Sequence, residues 1–146
     1  MRILFDTNVI LDVLLDREPF SSTAAKLFSK VETGEITGYV CATTITTLHY
    51  LASKVVGADS AIKEINKLMI LLEVAPVNRA VLDAALTSGF KDFEDAVVHE
   101  SGVYKETQGI ATRDPADFKK SKINVYSPEE LLLMLESKSA SESCWP

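Results

Sequence analysis

The sequence predicts an α/β fold in which helices cover a central parallel sheet. Short apolar runs alternate with longer segments of helical periodicity, which is the pattern of repeated β-α-β units. The chain has 146 residues, of which 47% are hydrophobic, so a single domain with its own core accounts for its length. Neither an internal repeat nor a long linker divides it.

Five short runs are predicted as the strands. Each is rich in β-branched or other apolar residues and is bounded by turn residues. These runs lie at residues 3–5, 36–41, 74–77, 109–112 and 123–126. Pro76 cannot donate a ladder hydrogen bond, so the third strand is expected to be short.

Helical spacing of apolar residues predicts seven helices between and after the strands. Pro19 and Gly57 separate neighbouring helices, Asn78 is suited to an N-cap, and Pro128 fits a first helical position. The helices are predicted at residues 9–14, 22–32, 43–56, 59–72, 79–88, 93–104 and 128–136.

Composition is typical of a soluble cytoplasmic domain. The domain is expected over residues 1–136, followed by a flexible, Ser-rich tail at 137–146. An acid at Asp6 is unlike a signal peptide, and no apolar run is long enough to span a membrane. Cys41 and Cys144 are expected to be free thiols in a reducing compartment. A net charge of -6 argues against a large basic surface for non-specific DNA binding.

Four aspartates stand at the ends of strands or at the start of a helix. Asp6 follows the first strand and Asp114 follows the fourth, so both are expected at the carboxyl edge of the sheet, where ligands bind. Asp92 and Asp95 open the sixth helix, where Asp92 is also a good N-cap. Converging carboxylates suit Mg2+ or Mn2+, which can activate water for attack on a phosphodiester. The four acids therefore predict a site of metal-dependent phosphoryl transfer.

Rival catalytic arrangements have less support. The chain contains neither a G-x-x-x-x-G-K-[ST] nor a G-x-G-x-x-G phosphate loop. His49 and His99 do not stand at zinc-ligand spacing with the cysteines. Both are interpreted as structural, although His99 shares a helix face with Asp95 and could reach a phosphate. A phosphatase with Asp6 as nucleophile would be expected to carry a second acid at residue 8, which is Asn8.

Three sequence blocks, in order and in register, resemble the PIN domain and especially its bacterial VapC-like branch. The blocks are ILFDTNVILDVLLDREPF, KDFEDAVVHESG and IATRDPADF. The resemblance covers residue 1 to about residue 136. It implies a three-layer α/β/α sandwich and a Mg2+- or Mn2+-dependent endoribonuclease that cleaves single-stranded or structured RNA. It also implies the toxin of a type II toxin-antitoxin system, with a cognate antitoxin and a homodimer as partners.

The resemblance assigns roles to individual residues. The positions that match the catalytic, metal-binding acids are Asp6, Asp95 and Asp114. The positions that match supporting polar residues or additional nearby acids are Asn8, Asp92, Thr112 and Asp117. An apolar helical pair over residues 43–72 is a candidate dimer interface, although the same pattern also suits an ordinary core.

The chain departs from the family pattern in the helix after the second strand. Most PIN nucleases carry a Glu there, whereas Thr47 stands near that position. Asp12, Asp16 or Glu18 either replaces that acid or lies on a solvated face. The missing Glu motivates a second hypothesis, a catalytically weakened scaffold that binds RNA or a protein. Basic residues that could admit RNA to an acidic pocket are Arg17, Lys54, Lys91, Arg113, Lys119 and Lys120.

Overall fold

The computed structural model describes the backbone of residues 1–143 and the side chains of residues 1–140. Its strands are β1 Arg2–Phe5, β2 Thr37–Cys41, β3 Glu73–Ala75, β4 Gly109–Ala111 and β5 Asn124–Tyr126. They form one sheet in the order β3-β2-β1-β4-β5, and every neighbouring pair is parallel. The predicted central parallel sheet is confirmed, and β3 ends just before Pro76, as its missing N–H requires.

Seven α-helices surround the sheet in the described part of the chain. They are α1 Thr7–Leu14, α2 Ser21–Glu32, α3 Ala42–Val56, α4 Ala58–Leu71, α5 Arg79–Leu86, α6 Phe93–Tyr104 and α7 Pro128–Ser143. A short 3-10 helix, Pro115–Phe118, follows β4. None of the described helices has the length and apolar character needed to cross a membrane.

Two apolar cores fill the two sides of the sheet. Successive residues of β1 point to opposite faces, so Ile3 and Phe5 join one core and Leu4 joins the other. The first core includes residues of α1, α2, α3, α4 and α7, whereas the second includes residues of α5 and α6. Cys41 is buried in the second core as a free thiol. The layers form the expected α/β/α sandwich.

The C-terminal helix extends beyond the predicted domain boundary at residue 136. Residues 137–143, predicted as part of the flexible, Ser-rich tail, continue α7 to Ser143, because they contain neither Gly nor Pro to stop it. The Ser139 hydroxyl donates a hydrogen bond of 2.8 Å to Glu35 and so attaches this extension to the domain. Flexibility of the tail stays a prediction, and residues 144–146, including Cys144, lie outside the described residues.

The strand order places a topological switch point between β1 and β4. From β1 the chain runs through α1 and α2 to β2 on one flank, whereas β4 leads to β5 on the other. Connections diverge at such a point and leave a crevice at the carboxyl ends of the strands. The N–H of Asp6 donates to the carbonyl of Ala111 at 2.9 Å and joins the two strand ends. The fold therefore brings Asp6 beside the loop that carries Asp114.

Candidate active site

Asp6 is fixed at the end of β1 by two hydrogen bonds. It is the N-cap of α1, and its Oδ1 accepts from the N–H of Thr7 at 2.8 Å. Its Oδ2 accepts from the hydroxyl of Thr112, also at 2.8 Å. Burial raises the pKa of Asp6, and the two hydrogen bonds partly oppose that effect. The negative charges of Asp114 and Asp117 raise this pKa further, so the site favours a neutralising partner for Asp6.

Thr112 links Asp6 to Asp114. It is fully buried after β4, and its hydroxyl oxygen accepts from the N–H of Asp114 at 3.0 Å. The Asp114 carboxylate accepts from Nδ2 of Asn8 at 3.0 Å. The amide oxygen of Asn8 accepts from the N–H of Arg113 at 3.3 Å. Asn8 and Thr112 thus tie the loop after β4 to the first turn of α1.

Replacing Thr112 with valine is expected to destabilise this arrangement. Valine has nearly the same shape but no hydroxyl, so Asp6 Oδ2 and the N–H of Asp114 each lose a partner. A hydrogen bond to a charged group contributes about 1.5–3 kcal/mol, and urea unfolding should show a loss of that order. Thr112→Ser keeps the hydroxyl and serves as the control. A loss in Thr112→Ser with none in Thr112→Val would show that the methyl group, rather than the hydrogen bonds, stabilises the site.

Asp92 and Asp95 approach the site from the start of α6. Asp92 is the N-cap, as predicted, and its carboxylate accepts from the N–H of Asp95 at 3.0 Å. Partial burial, together with the charges of neighbouring acids, raises the pKa of Asp95 to about 7. These acids are Asp92, Asp6, Asp117 and Glu94. The crowding of negative charge around Asp95 is the kind that a bound cation relieves.

The candidate side chains border one open cavity of about 360 Å³, here called the acid cavity. Six acids line it: Asp6, Asp92, Glu94, Asp95, Asp114 and Asp117. The other lining residues are Thr7, Asn8, Leu11, Arg17 and Arg113. All three predicted metal ligands therefore reach the same cavity, as do the supporting acids Asp92 and Asp117. Glu94 was not predicted, although acids in the first turn of a helix are favoured by its dipole.

A second cavity of about 300 Å³, here called the lysine cavity, adjoins the acid cavity. The two cavities share Asp92, Asp95 and Asp117. The rest of its lining consists of Gly89, Phe90, Lys91, Ala116, Lys119 and Lys120. Of the six basic residues proposed to rim the site, only Lys54 lines neither cavity, and its ammonium lies 4.2 Å from the centre of the Tyr50 ring.

The donor set suits a hard divalent cation, although it is not a closed cage. Within the described residues, no group of three or more His, Cys, Asp or Glu side chains is arranged to hold an ion by itself. Mg2+ usually keeps several waters and is bound by one or two carboxylates together with substrate phosphates. An open, carboxylate-lined cavity matches that mode of binding in its chemistry. It does not match a dedicated structural metal site.

Family membership follows from comparison with known protein families. A family model described as a PIN domain matches residues 2–116. The chain belongs to the PIN-domain family. A search of curated proteins found no significant match.

Solved structures with the same fold as this PIN domain come from several bacteria. FitAcB from Neisseria gonorrhoeae is 20% identical, with 87% of this chain and 98% of that chain covered and a TM-score of 0.64. DNA-bound VapBC from Salmonella typhimurium is 12% identical, with 88% and 98% covered and a TM-score of 0.68. VapC20 from Mycobacterium tuberculosis, a sarcin-ricin loop cleaving toxin, is 14% identical, with 74% and 86% covered and a TM-score of 0.59. At these identities the likeness establishes the fold.

The position of the missing PIN-domain Glu does not border the acid cavity. The hydroxyl of Thr47 donates to the carbonyl of Thr43, one turn earlier in α3, at 3.4 Å. Asp12 is 1% exposed and forms ion pairs with arginines. Asp16 and Glu18 are exposed and do not line the cavity. None of the three candidate replacements therefore supplies a free carboxylate to the acid cavity.

Both histidines of the PIN domain lie outside the acid cavity. His99 is completely buried, its Nε2 accepts from the N–H of Lys122 at 3.0 Å, and its ring lies 4.9 Å from that of Phe90. His49 Nε2 lies 3.5 Å from the Ser53 hydroxyl. His99 therefore does not reach a phosphate in the cavity, because the helix face that it shares with Asp95 turns into the core.

Proposed function

We propose that this PIN domain is a Mg2+- or Mn2+-dependent endoribonuclease and the toxin of a type II toxin-antitoxin system. The observation that carries the proposal is the meeting of Asp6, Asp95 and Asp114 in one cavity at the switch point of the sheet. These carboxylates come from three separate parts of the chain, and their repulsion favours a bound cation over an empty site. The chemistry that uses such a site is metal-assisted phosphodiester hydrolysis.

Asp6, Asp95 and Asp114 are the proposed ligands of the divalent cation, and because they are not arranged to hold an ion by themselves, water and substrate oxygens would complete its coordination. When bound, the ion lowers the pKa of a water molecule and polarises the phosphate. Asp6 and Asp114 are already oriented by Thr112 and Asn8, so little reorganisation is needed for binding. Asp95, whose pKa is raised to about 7, would release its proton if it became a ligand of the cation.

The adjoining lysine cavity supports RNA as the substrate. A cavity bordered by six acids repels a polyanion. Lys91, Lys119 and Lys120 border the neighbouring cavity and supply positive charge within a few residues of the acids. We infer that these lysines contact RNA phosphates on one side of the cleaved bond. The cleaved sequence would depend on RNA shape and on unpaired bases that the protein can contact.

The function is tested by incubating the purified protein with a single-stranded RNA and with a stem-loop RNA. Each reaction contains Mg2+, Mn2+ or a chelator. Internal cleavage of at least one RNA is expected with metal, and none is expected with the chelator. Intact RNA under every condition, with a folded protein shown by circular dichroism, would overturn the proposal.

A second candidate is a catalytically weakened PIN scaffold that binds RNA or a protein. Thr47 at the usual Glu position and the lack of a closed three-ligand group in the described residues favour it. Two calorimetric titrations separate the functions, one with Mn2+ and one with RNA in the presence and absence of Mn2+. The nuclease binds Mn2+ in a manner that depends on Asp6 and Asp95, whereas the scaffold binds RNA equally well with and without metal.

Partners are proposed from the exposed apolar side chains of α3 and α4. These are Tyr50, Val55, Val56, Ile62, Met69 and Ile70. Ile70 is 88% exposed, and several exposed apolar side chains on one helical pair are typical of an interaction surface. We propose that a second copy of the chain covers this helical pair and that a cognate antitoxin binds the resulting dimer. Light scattering at micromolar concentration should give a dimer mass, and a monomer mass would contradict this arrangement.

A further inference from the structure

A charged triad of Asp12, Arg17 and Arg113 lies beside the acid cavity. The Asp12 carboxylate is 1% exposed, whereas the arginine side chains are 38% and 26% exposed. Both arginines line the acid cavity, and Asp12 does not. The buried acid therefore lies behind two guanidinium groups that reach the cavity surface.

The contacts hold both guanidinium groups in defined positions. Arg113 Nε and Nη2 donate to the two oxygens of Asp12 at 2.8 and 3.3 Å. Arg17 Nε donates to Asp12 Oδ1 at 3.0 Å, and its Nη2 donates to the carbonyl of Asn8 at 3.2 Å. The Arg113 guanidinium also lies over the ring of Phe20, 3.9 Å from its centre. Side chains fixed in this way lose little conformational freedom on binding a ligand.

The triad carries more positive charge than an ion pair that only held α1 to the loop after β4 would need. One arginine would balance the buried carboxylate, whereas two leave a net charge of +1. The Nη1 atoms of both arginines have no hydrogen-bond partner within the described residues. A planar guanidinium with free N–H donors is well suited to phosphate oxygens. The remaining charged residues that line the acid cavity are all acids.

We propose that Arg17 and Arg113 bind an RNA phosphate adjacent to the cleaved phosphodiester, and that Asp12 is the residue that positions them. The identity of the polyanion rests on the proposed function. Arg17 and Arg113 are substrate-binding residues in this scheme, while Asp12 acts only through them. Asp12, considered from the sequence as a replacement metal ligand, thus has a different role.

The test measures RNA binding as a function of salt concentration. All proteins carry Asp6→Asn so that RNA is not cleaved, and affinity for a labelled single-stranded RNA is measured between 50 and 200 mM salt. Arg17→Met and Arg113→Met should each weaken binding about tenfold and reduce the slope of log K against log salt by about 0.7. Lys54→Met removes the same charge outside both cavities and should leave the slope unchanged. Unchanged affinity and slope in both arginine variants would overturn the proposal.

A substitution of Asp12 separates positioning from simple charge. Asp12→Asn makes the protein more positive, so charge alone predicts tighter RNA binding, whereas loss of positioning predicts weaker binding. Because this change leaves two arginines without their carboxylate, its folding is checked by thermal unfolding. Arg113→Lys keeps the positive charge and provides an independent test. Made in the cleaving protein, with Asp6 intact, it should raise KM for RNA severalfold with a smaller change in kcat, and an unchanged KM would contradict the role of the guanidinium.

Two outcomes distinguish the phosphate site from the nuclease activity. If the wild-type protein does not cleave RNA, while the arginine variants bind RNA with a reduced salt slope, the nuclease proposal fails and the phosphate site stands. If the wild-type protein cleaves RNA with metal, while neither arginine variant changes affinity or slope, the nuclease proposal stands and the triad is only a structural anchor.

Discussion

Asp6→Asn is expected to lower metal-dependent RNA cleavage by at least about a hundredfold. Asparagine keeps the shape of the side chain and can still accept the hydrogen bond from Thr112. It lacks the negative charge that a cation requires. Loss of a group that only supports a metal ligand typically costs 10–100-fold in activity, so loss of the ligand itself should cost more.

Initial rates on a labelled single-stranded RNA measure this effect. Asp16→Asn is the matched control, because Asp16 is an exposed acid outside the acid cavity. Its φ of 47° lies in the left-handed region, which asparagine also tolerates. The control should cleave at the wild-type rate. Equal cleavage by Asp6→Asn and wild type would indicate a contaminating ribonuclease.

Asp95→Asn is expected to stabilise the metal-free protein near pH 8 and to abolish its response to Mg2+. The pKa of Asp95 is about 7 in the folded protein, against an ordinary value of 3.8. Between these values the folded state binds more protons than the unfolded state, so stability falls as pH rises from about 4 to about 8. Asparagine does not ionise, so the Asp95→Asn variant does not lose stability in this way as pH rises. Because Asp95 is partly exposed to screening water, we expect a gain of only about 1 kcal/mol, or roughly 3 °C in Tm.

Thermal unfolding at pH 5 and pH 8, with and without Mg2+, measures both effects. The wild-type protein should gain stability from Mg2+, and more so at pH 8, because the cation competes with the proton on Asp95. Asp16→Asn is again the control, because Asp16 is exposed and does not line the acid cavity. This control should retain the Mg2+ response. A lower Tm for metal-free Asp95→Asn at pH 8, or a Mg2+ shift equal to that of wild type, would contradict this account.

The convergence of Asp6 and Asp114 was predictable because both residues follow strands of a parallel sheet. Carboxyl ends of parallel strands share one edge, so chain position alone brought these acids together. The N-cap role of Asp92 was predictable for an equally local reason, the hydrogen bond between a cap side chain and the third residue of the helix. Their functional roles stay predictions.

The surroundings of Asp12 could not be predicted from local pattern. An acid on an amphipathic helix usually faces solvent, yet Asp12 is buried by Arg113 and Arg17. Arg113 lies about a hundred residues away in sequence, and only the pairing of β1 with β4 brings it to α1. Tertiary structure here overrides the helical pattern.

His99 is structural, as interpreted from the sequence, and the alternative in which it reaches a phosphate fails because of its helix's packing. Residues 96–102 of α6 are buried on every side, because the helix packs against the sheet, α5 and the 3-10 helix. In such a helix, the sequence does not indicate which side faces solvent. The side of α6 that carries Asp95 and His99 therefore borders the cavity only in the first turn, and at His99 it faces the core.

Anomalous X-ray scattering from a crystal soaked in Mn2+ near pH 8 would locate the metal that the proposed nuclease requires. An anomalous peak is expected between the carboxylates of Asp6, Asp95 and Asp114, and no peak is expected there in an Asp6→Asn crystal treated in the same way. A crystal without Mn2+ at this place, at a metal concentration that supports RNA cleavage in solution, would contradict the proposed metal site.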